Sequence, residues 1–308
     1  MNTPSSAVPE SPLDPPEIAP AAMTHTRPMY WSIRRELWEN RSIYIAPLVV
    51  AAVALLGFLI STIGMPERRR AVLSLDPALQ RAAIEKPYDI AAVLLILTAF
   101  LVGMFYCLDA LHGERRDRTI LFWKSLPVSD LTTVLSKAIV PLVILPLLTF
   151  AIIVATQFIM LLMSTAVLLP SGLGATTWTR LPFLQSSLIL LYGLIALALW
   201  HAPIYGWLLL VSGWARRATF LWAVLPPLAL CVVEKIAFNT TYLAALLKSR
   251  MTGFAADAFA FNGHFTIDSL AQLTPGNFLS TPGLWLGLAF AAAFLAAAVR
   301  LRRYREPI

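Results

Sequence analysis

Apolar residues follow one another along the chain in six long stretches, which shorter polar segments separate. The stretches do not alternate between apolar and polar positions, so they predict helices and not the strands of a membrane barrel. A bilayer core about 30 Å thick is crossed by roughly 20 apolar residues in a helix. We therefore predict six membrane-spanning helices, at residues 44–64, 88–108, 138–169, 183–211, 219–233 and 283–299.

The composition supports a membrane protein. Hydrophobic residues make up 58% of the chain and charged residues only 13%, and the mean hydropathy is +0.72. Soluble domains carry about 25% charged residues. Residues 1–28 are rich in proline and lack the basic start and apolar core of a signal peptide, which predicts a disordered tail. We assign residues 29–308 to one all-α integral membrane domain.

The placement of lysine and arginine predicts the orientation of the spans. With a cytoplasmic N-terminus, fifteen of the 24 basic residues fall on the cytoplasmic side and nine on the outer side. Because cytoplasmic segments are enriched in lysine and arginine, we expect both termini in the cytoplasm. The net charge of +7 then reflects orientation and attraction to anionic lipid, and it does not indicate nucleic-acid binding. Three outer arginines, at 68–70, are an exception that only lipid headgroup contact explains.

Residues 29–42, before the first span, have the pattern of a helix lying in the membrane interface. The apolar side chains fall on one helical face: Tyr30, Ile33, Leu37 and Trp38. The charged side chains fall largely on the other face: Arg34, Arg35, Glu39 and Arg41. The alternative is that this segment is simply the cytoplasmic start of the first span. A second segment, residues 234–282, is predicted to form re-entrant or surface helices on the outer side.

A cluster of charged and aromatic residues separates the second span from the third. We predict a cytoplasmic helix at 111–126, with an i,i+4 pair between Glu114 and Arg118 and an end at Pro127. Ser129 or Asp130 is suited to cap the next helix. So short a helix is unstable alone in water, so the membrane surface or another protein must hold it. The residues alone leave both possibilities open, because aromatic residues suit either surface.

The stretch ERRDRTILFWKSLPVSDLTTVLSK resembles the signature of bacterial ABC-2 type permease subunits. The similarity consists of an acidic–basic run, an Ile/Leu–Phe/Trp segment, Leu-Pro-Val-Ser, and Ser-Lys at the start of the third span. The six-span layout, the interfacial N-terminal helix and the long fifth connection are also similar. Residues 1–28 lie outside the resemblance.

This resemblance implies a multi-pass subunit of an ATP-driven exporter in the bacterial inner membrane. The subunit would form a homodimer, or a heterodimer with a similar chain, and the helix at 111–126 would couple it to a separate ATPase. The implied coupling residues are Glu114, Arg115, Arg116, Asp117, Arg118, Phe122 and Trp123. The sequence has no G-x-x-x-x-G-K-[ST] motif, so we expect no enzyme activity and no cofactor in this chain. ATP and Mg²⁺ would bind to the partner ATPase.

Two polar residues within the predicted spans, Gln157 and His201, are candidates for a transport pathway. The alternative for His201 is a neutral imidazole that is hydrogen-bonded to a neighbouring helix.

Two other functions remain: an intramembrane lipid-modifying enzyme, and a non-transporting scaffold or channel. The enzyme would need a nucleophile–base pair or paired carboxylates at depth, and the spans show neither. The histidines and cysteines lack the spacing of metal ligands.

Overall fold

The computed structural model describes residues 26–119, 128–180, 182–260 and 269–304. Within these ranges the chain is almost entirely helical and contains no β-strand, apart from an isolated bridge between Phe259 and Leu273. The prediction of an all-α fold is therefore confirmed for the described part of the chain.

Six helices are long and apolar enough to cross a membrane: Ser42–Ser61, Pro77–Arg116, Asp130–Ser171, Phe183–Trp214, Thr219–Phe238 and Pro282–Tyr304. Each predicted span overlaps one of them, which supports a multi-pass membrane protein. The largest differences lie at the ends. The second helix already begins at Pro77, and the fifth extends to Phe238 despite Pro226 and Pro227 within it.

The helices are named here in chain order: α1 (Thr26–Glu39), α2 (Ser42–Ser61), α3 (Met65–Leu73), α4 (Pro77–Ala110), α5 (His112–Arg116), α6 (Asp130–Ile139), α7 (Leu145–Leu168), α8 (Ala175–Arg180), α9 (Phe183–Trp214), α10 (Thr219–Phe238), α11 (Tyr242–Thr252), α12 (Phe254–Ala258), α13 (Pro275–Ser280) and α14 (Pro282–Tyr304). A π-helical turn, Val140–Ile144, joins α6 to α7. Short 3₁₀ turns occupy Leu169–Ser171 and Leu270–Gln272.

The π-helical turn has a local cause in the sequence. Pro141 and Pro146 lack the backbone N–H groups that would continue α-helical hydrogen bonding. Within the turn, the Leu145 N–H donates to the Val140 carbonyl, which is the i→i+5 pattern of a π-helix. We expected these prolines to kink, tilt or extend the third span. The structure accommodates them by widening one turn and keeping the helix continuous.

The long helices pack so that two ends of the bundle can be distinguished. The starts of α2 and α6 lie at one end, together with the ends of α4, α9 and α14. Their core there includes Ile43, Tyr106 and Leu209. At the other end, Phe58 of α2 packs with Tyr88 near the start of the apolar part of α4. Close approach of α9 to α14 requires Gly206, because a Cβ there would lie 3.2 Å from the Ala291 carbonyl oxygen.

The two segments that we predicted outside the spans contain helices in their described parts. Helix α1 exposes Tyr30 and Trp38, whereas Glu36 between them is fully buried. In the later segment, α11 packs against α9, since the Trp200 Nε1 donates to the Ser249 carbonyl at 3.0 Å. The Arg250 guanidinium lies 4.5 Å from the centre of the Trp200 ring. Part of this segment, residues 261–268, lies outside the described residues.

Candidate functional site

Six ionised side chains from four helices meet at the end of the bundle where α1, α5, α6 and α14 come together. We call them the charge cluster: Arg35, Glu36, Glu114, Asp130, Lys137 and Arg302. Arg35 and Glu36 come from α1, Glu114 from α5, Asp130 and Lys137 from α6, and Arg302 from the last turn of α14. The cluster therefore joins the N-terminal helix, the second connection, the third span and the sixth span.

Glu36 and Lys137 form the most deeply buried pair in the cluster. Glu36 is 0% exposed and Lys137 is 2% exposed. The Lys137 Nζ lies 2.8 Å from Glu36 Oε1, and the Arg35 Nη2 lies 2.7 Å from the same oxygen. The other oxygen, Oε2, accepts a hydrogen bond from the Tyr106 hydroxyl at 2.9 Å. Both oxygens of this buried carboxylate are therefore satisfied.

Glu114 links the remaining members. Its Oε1 lies 3.1 Å from the Lys137 Nζ and 3.0 Å from the Arg35 Nη2, while its Oε2 lies 3.3 Å from the Arg302 Nη2. Arg302 also reaches Asp130 through Nη1 at 2.5 Å. Asp130 is in the first turn of α6. Ser129, one of the two residues that we predicted as the cap, is the N-cap of this helix, and the Ser129 hydroxyl accepts a hydrogen bond from the Thr132 N–H.

The cluster is electrically neutral, with three cations and three carboxylates. Taking an ion out of water costs several kcal/mol, and only good geometry with further hydrogen bonds offsets this. Here Lys137 has two carboxylates within 3.1 Å, and Glu114 has three cationic partners. Such an arrangement holds its helices in one relative position, since moving any one of them would leave a buried charge unpaired.

The electrostatics of α1 follow from the same contacts. Burial raises the pKa of Glu36, but attraction to Lys137 and Arg35 and their hydrogen bonds outweigh it, so the pKa lies below its ordinary value of 4.5. Burial lowers the pKa of Arg35, and the nearby Glu36, Glu114 and Glu39 carboxylates reverse this effect, leaving the pKa raised. Both residues are therefore ionised at neutral pH.

Helix α5 is also fixed to the end of α9. The Arg115 Nη1 donates to the carbonyls of Gly213 and Ala215 at 2.9 and 3.2 Å. The Ser212 hydroxyl accepts from the backbone N–H groups of Leu111 and His112. Arg115 is only 4% exposed, so its role in the structure is to hold α5 against the bundle.

The other charged residues of the predicted coupling helix that the structure describes face outward. Arg116, Asp117 and Arg118 are exposed, and Arg116 pairs with Asp117 at 3.0 Å. Our prediction of one continuous helix over 111–126 was wrong, because α5 ends at Arg116 and Arg118 has a left-handed backbone with φ of +57°. The expected pair of Glu114 with Arg118 is replaced by the buried contacts of Glu114 within the cluster. Phe122 and Trp123 lie outside the described residues.

The structure does not bring the two candidate pathway residues together. The Gln157 Nε2 donates to the Tyr88 carbonyl at 3.3 Å. The His201 Nδ1 donates to the Leu197 carbonyl of its own helix at 2.9 Å, and its ring lies against Phe100. Tyr88 and Phe100 are about 18 Å apart along α4 by helical rise. Besides this bond within its own helix, His201 has a backbone hydrogen bond to Met251 of the neighbouring helix α11.

The sequence did not predict the ion pairs of four cluster members: Glu36, Asp130, Lys137 and Arg302. One signal was available for Lys137. It follows Val134 by three residues and precedes Val140 by three, so helical spacing places it on a buried face. A lysine on such a face needs a carboxylate.

Among the described residues, no group of three or more His, Cys, Asp or Glu side chains is arranged to hold a metal ion.

Comparison of the chain with protein-family models, with curated proteins and with solved structures finds no match in any of the three. The functional argument therefore depends on the geometry above and on the sequence resemblance.

A double-mutant cycle tests the buried pair. Lys137→Met should lower the free energy of unfolding by about 3–5 kcal/mol, because it leaves Glu36 and Glu114 with a buried excess of negative charge. The double variant Lys137→Met/Glu36→Gln should lose much less unfolding free energy than the sum of the losses in the two single variants. The measurement is unfolding of the purified chain in detergent. As a control, Arg81→Gln, which removes the i,i+4 partner of Glu85, should cost about 0.3–0.5 kcal/mol. Additive single effects would show that the pair is not coupled.

The lowered pKa of Glu36 predicts a pH dependence. Its contribution to stability should be complete above pH 4.5, the ordinary value, and should be lost as pH falls through the lower folded pKa. The slope should reach at most about 1.4 kcal/mol per pH unit. Melting temperatures of the wild type and of Glu36→Gln should therefore differ by a constant amount between pH 7 and pH 4.5 and converge as pH falls further towards pH 3. A constant difference over the whole range would contradict this prediction.

Proposed function

We propose that this chain is the membrane-spanning permease subunit of an ATP-driven ABC exporter of the ABC-2 type. A separate ATPase subunit would dock on the exposed charges of the second connection: Arg116, Asp117 and Arg118. The observation that carries this proposal is the fixed position of that connection. Glu114 and Arg115 hold it to the third, fourth and sixth spans, and its next three residues point outward.

This geometry suits transmission of force. A docking element that hangs on a loose loop would move without moving the spans. Here the contacts of Glu114 reach α1, α6 and α14, and Arg115 reaches the end of α9. A push on residues 116–118 would therefore act on several helices at once. In the proposal, ATP-driven closure of the ATPases moves this end of the bundle.

The proposed complex contains two permease chains. A cavity of about 30 Å³ lies among α4, α7 and α9, lined by Phe100, Thr149 and Tyr205. It has room for about one water molecule, so this cavity cannot hold a larger solute. A path between two chains, identical or similar, avoids this restriction. In the apolar stretch of helix α10, only 6% of the residues are buried. This helix therefore provides apolar surface for such a seam or for lipid.

The proposal requires the charge cluster to lie in the cytoplasm. Cysteine labelling in sealed vesicles should place positions 116, 216 and 303 on the cytoplasmic side, because they follow the positive-inside pattern. Positions 78, 174 and 263 should be labelled from the outside. Opposite accessibility for the two sets would contradict the orientation and place the connection where no ATPase could reach it.

A charge reversal tests docking. The double variant Arg116→Glu/Arg118→Glu should lose the co-purifying ATPase, because like charges at an interface oppose association. The matched control is Arg216→Glu/Arg217→Glu, which makes the same change at two exposed arginines between α9 and α10. The measurement is ATP hydrolysis by the tagged chain from native membranes, with mass spectrometry to identify a subunit that carries the phosphate-binding motif.

Three results decide the docking test. Wild type and control should retain the ATPase, and the Arg116→Glu/Arg118→Glu variant should lose it while its membrane level and melting temperature stay unchanged. Phe122→Ala/Trp123→Ala should give the same loss, since aromatic anchors at an interface contribute on the order of 2 kcal/mol each. Absence of any such subunit from the wild type, or its equal retention by all variants, would contradict the proposed function.

A further inference from the structure

A cavity of about 280 Å³ lies at the end of the bundle opposite to the charge cluster. It is enclosed by the end of α2, by α3 and by the start of α4. The turn that folds α3 back is made at Gly64, whose φ is +68°. The apolar part of the wall includes Phe58, Met65, Val72 and Ile84. The volume is near the lower limit of about 300–1,000 Å³ for ligand pockets, which suits a small headgroup and the first carbons of a chain.

Arg69 lines this cavity and is 8% exposed. Its Nη2 donates to the Thr177 hydroxyl, which is itself fully buried, at 3.3 Å. Among the described residues, no carboxylate lies within ion-pairing distance of Arg69. Lys137 and Arg302, at the other end of the bundle, each have two carboxylates within 3.3 Å. Arg69 is thus a buried cation that lacks the counter-charge its burial requires.

The charge of Arg69 persists despite its surroundings. Burial lowers the pKa of the guanidinium, and only the distant effect of Tyr88 opposes this. An arginine side chain nevertheless keeps its proton in proteins. Buried charges are normally paired. An anion that enters the cavity would supply the negative charge that pairs with Arg69.

Arg68 adds a second guanidinium at the edge of the same cavity. It is exposed, and its Nη2 donates to the carbonyls of Ser61 and Ile63 near the end of α2. These bonds hold the side chain beside the opening. Together the two arginines place two positive charges next to an apolar wall. A phosphate monoester carries about −1.5 to −2 charges at pH 7, which matches this pair.

We propose that the cavity binds an anionic amphiphile through its phosphate headgroup. Arg69, held by Thr177, would contact the phosphate inside, Arg68 would contact it at the opening, and the alkyl chain would lie along Phe58, Met65 and Ile84. The guanidinium group donates in a planar fork that matches phosphate oxygens. This site does not depend on an ATPase partner, so its test is independent of the proposed transport function.

Three probes separate the elements of the proposal. The purified full chain is placed in phosphatidylcholine nanodiscs and titrated with dioctanoyl phosphatidic acid, dioctanoylglycerol or inorganic phosphate. Phosphatidic acid should raise the melting temperature and remain bound in native mass spectrometry. The uncharged lipid and inorganic phosphate should each bind at least about tenfold more weakly, because each lacks one half of the interaction. Equal affinity for phosphatidic acid and either of the other two probes would overturn the proposal.

Variants assign the site to this cavity. Arg69→Gln should weaken phosphatidic acid binding at least about tenfold. Arg70→Gln, which changes the exposed neighbour that does not line the cavity, should bind as the wild type does. Wild-type binding by Arg69→Gln would overturn the proposal.

A second pair of variants covers the case in which Arg69→Gln fails to fold. Ala83 is exposed and lines the cavity, whereas Ala82 is exposed and does not line it. Ala83→Trp should obstruct the opening and abolish the melting shift, and Ala82→Trp should preserve it. Equal shifts in these two variants would also overturn the proposal.

Discussion

A buried charge must be paired, and this requirement governs the end of the bundle where the sixth span finishes. Glu36 and Lys137 are 101 residues apart in the chain, and Glu114 and Arg302 are 188 apart. Neither pair can form until the helices between them have packed. Replacing buried ions with apolar residues is often neutral or stabilising in other proteins. We therefore infer that the cluster contributes mainly to the uniqueness of the helix arrangement and less to its net stability.

The same requirement relates the two ends of the molecule. At one end, cations and carboxylates neutralise one another within the chain. At the other, Arg69 is buried with a threonine as its hydrogen-bond partner, and no carboxylate of the described residues lies within ion-pairing distance. The two ends therefore differ in charge balance: the charge cluster is neutral, whereas Arg69 has no ion-pair partner among the described residues.

The spans were predictable from sequence because bilayer thickness sets the length of an apolar run, and this signal is local. The one-sided apolar pattern of residues 29–42 likewise predicted a helix before the first span, and α1 lies there. The ion-pair partners of Glu36 and Arg35 were not predictable, since helical spacing gives the face on which a residue lies but not the side chain that it meets there. The resemblance drew attention to Glu114 and Arg115 as surface contacts, and both are internal. Their neighbours at 116–118 are the exposed ones. A break at Arg118 could not be foreseen, because an arginine is not a residue that favours positive φ.

The π-helical turn at Val140–Ile144 has a consequence for how the third span is read. One additional residue in a turn rotates everything before it by about 100° relative to everything after it. The face that carries Val134 and Lys137 is therefore out of phase with the face that carries Thr149, Thr156 and Met160, although both are buried. A single periodic wheel drawn through the whole helix would assign one of these faces to lipid. A related chain that had lost one residue here would have to carry its lysine at a different position to reach the same carboxylates.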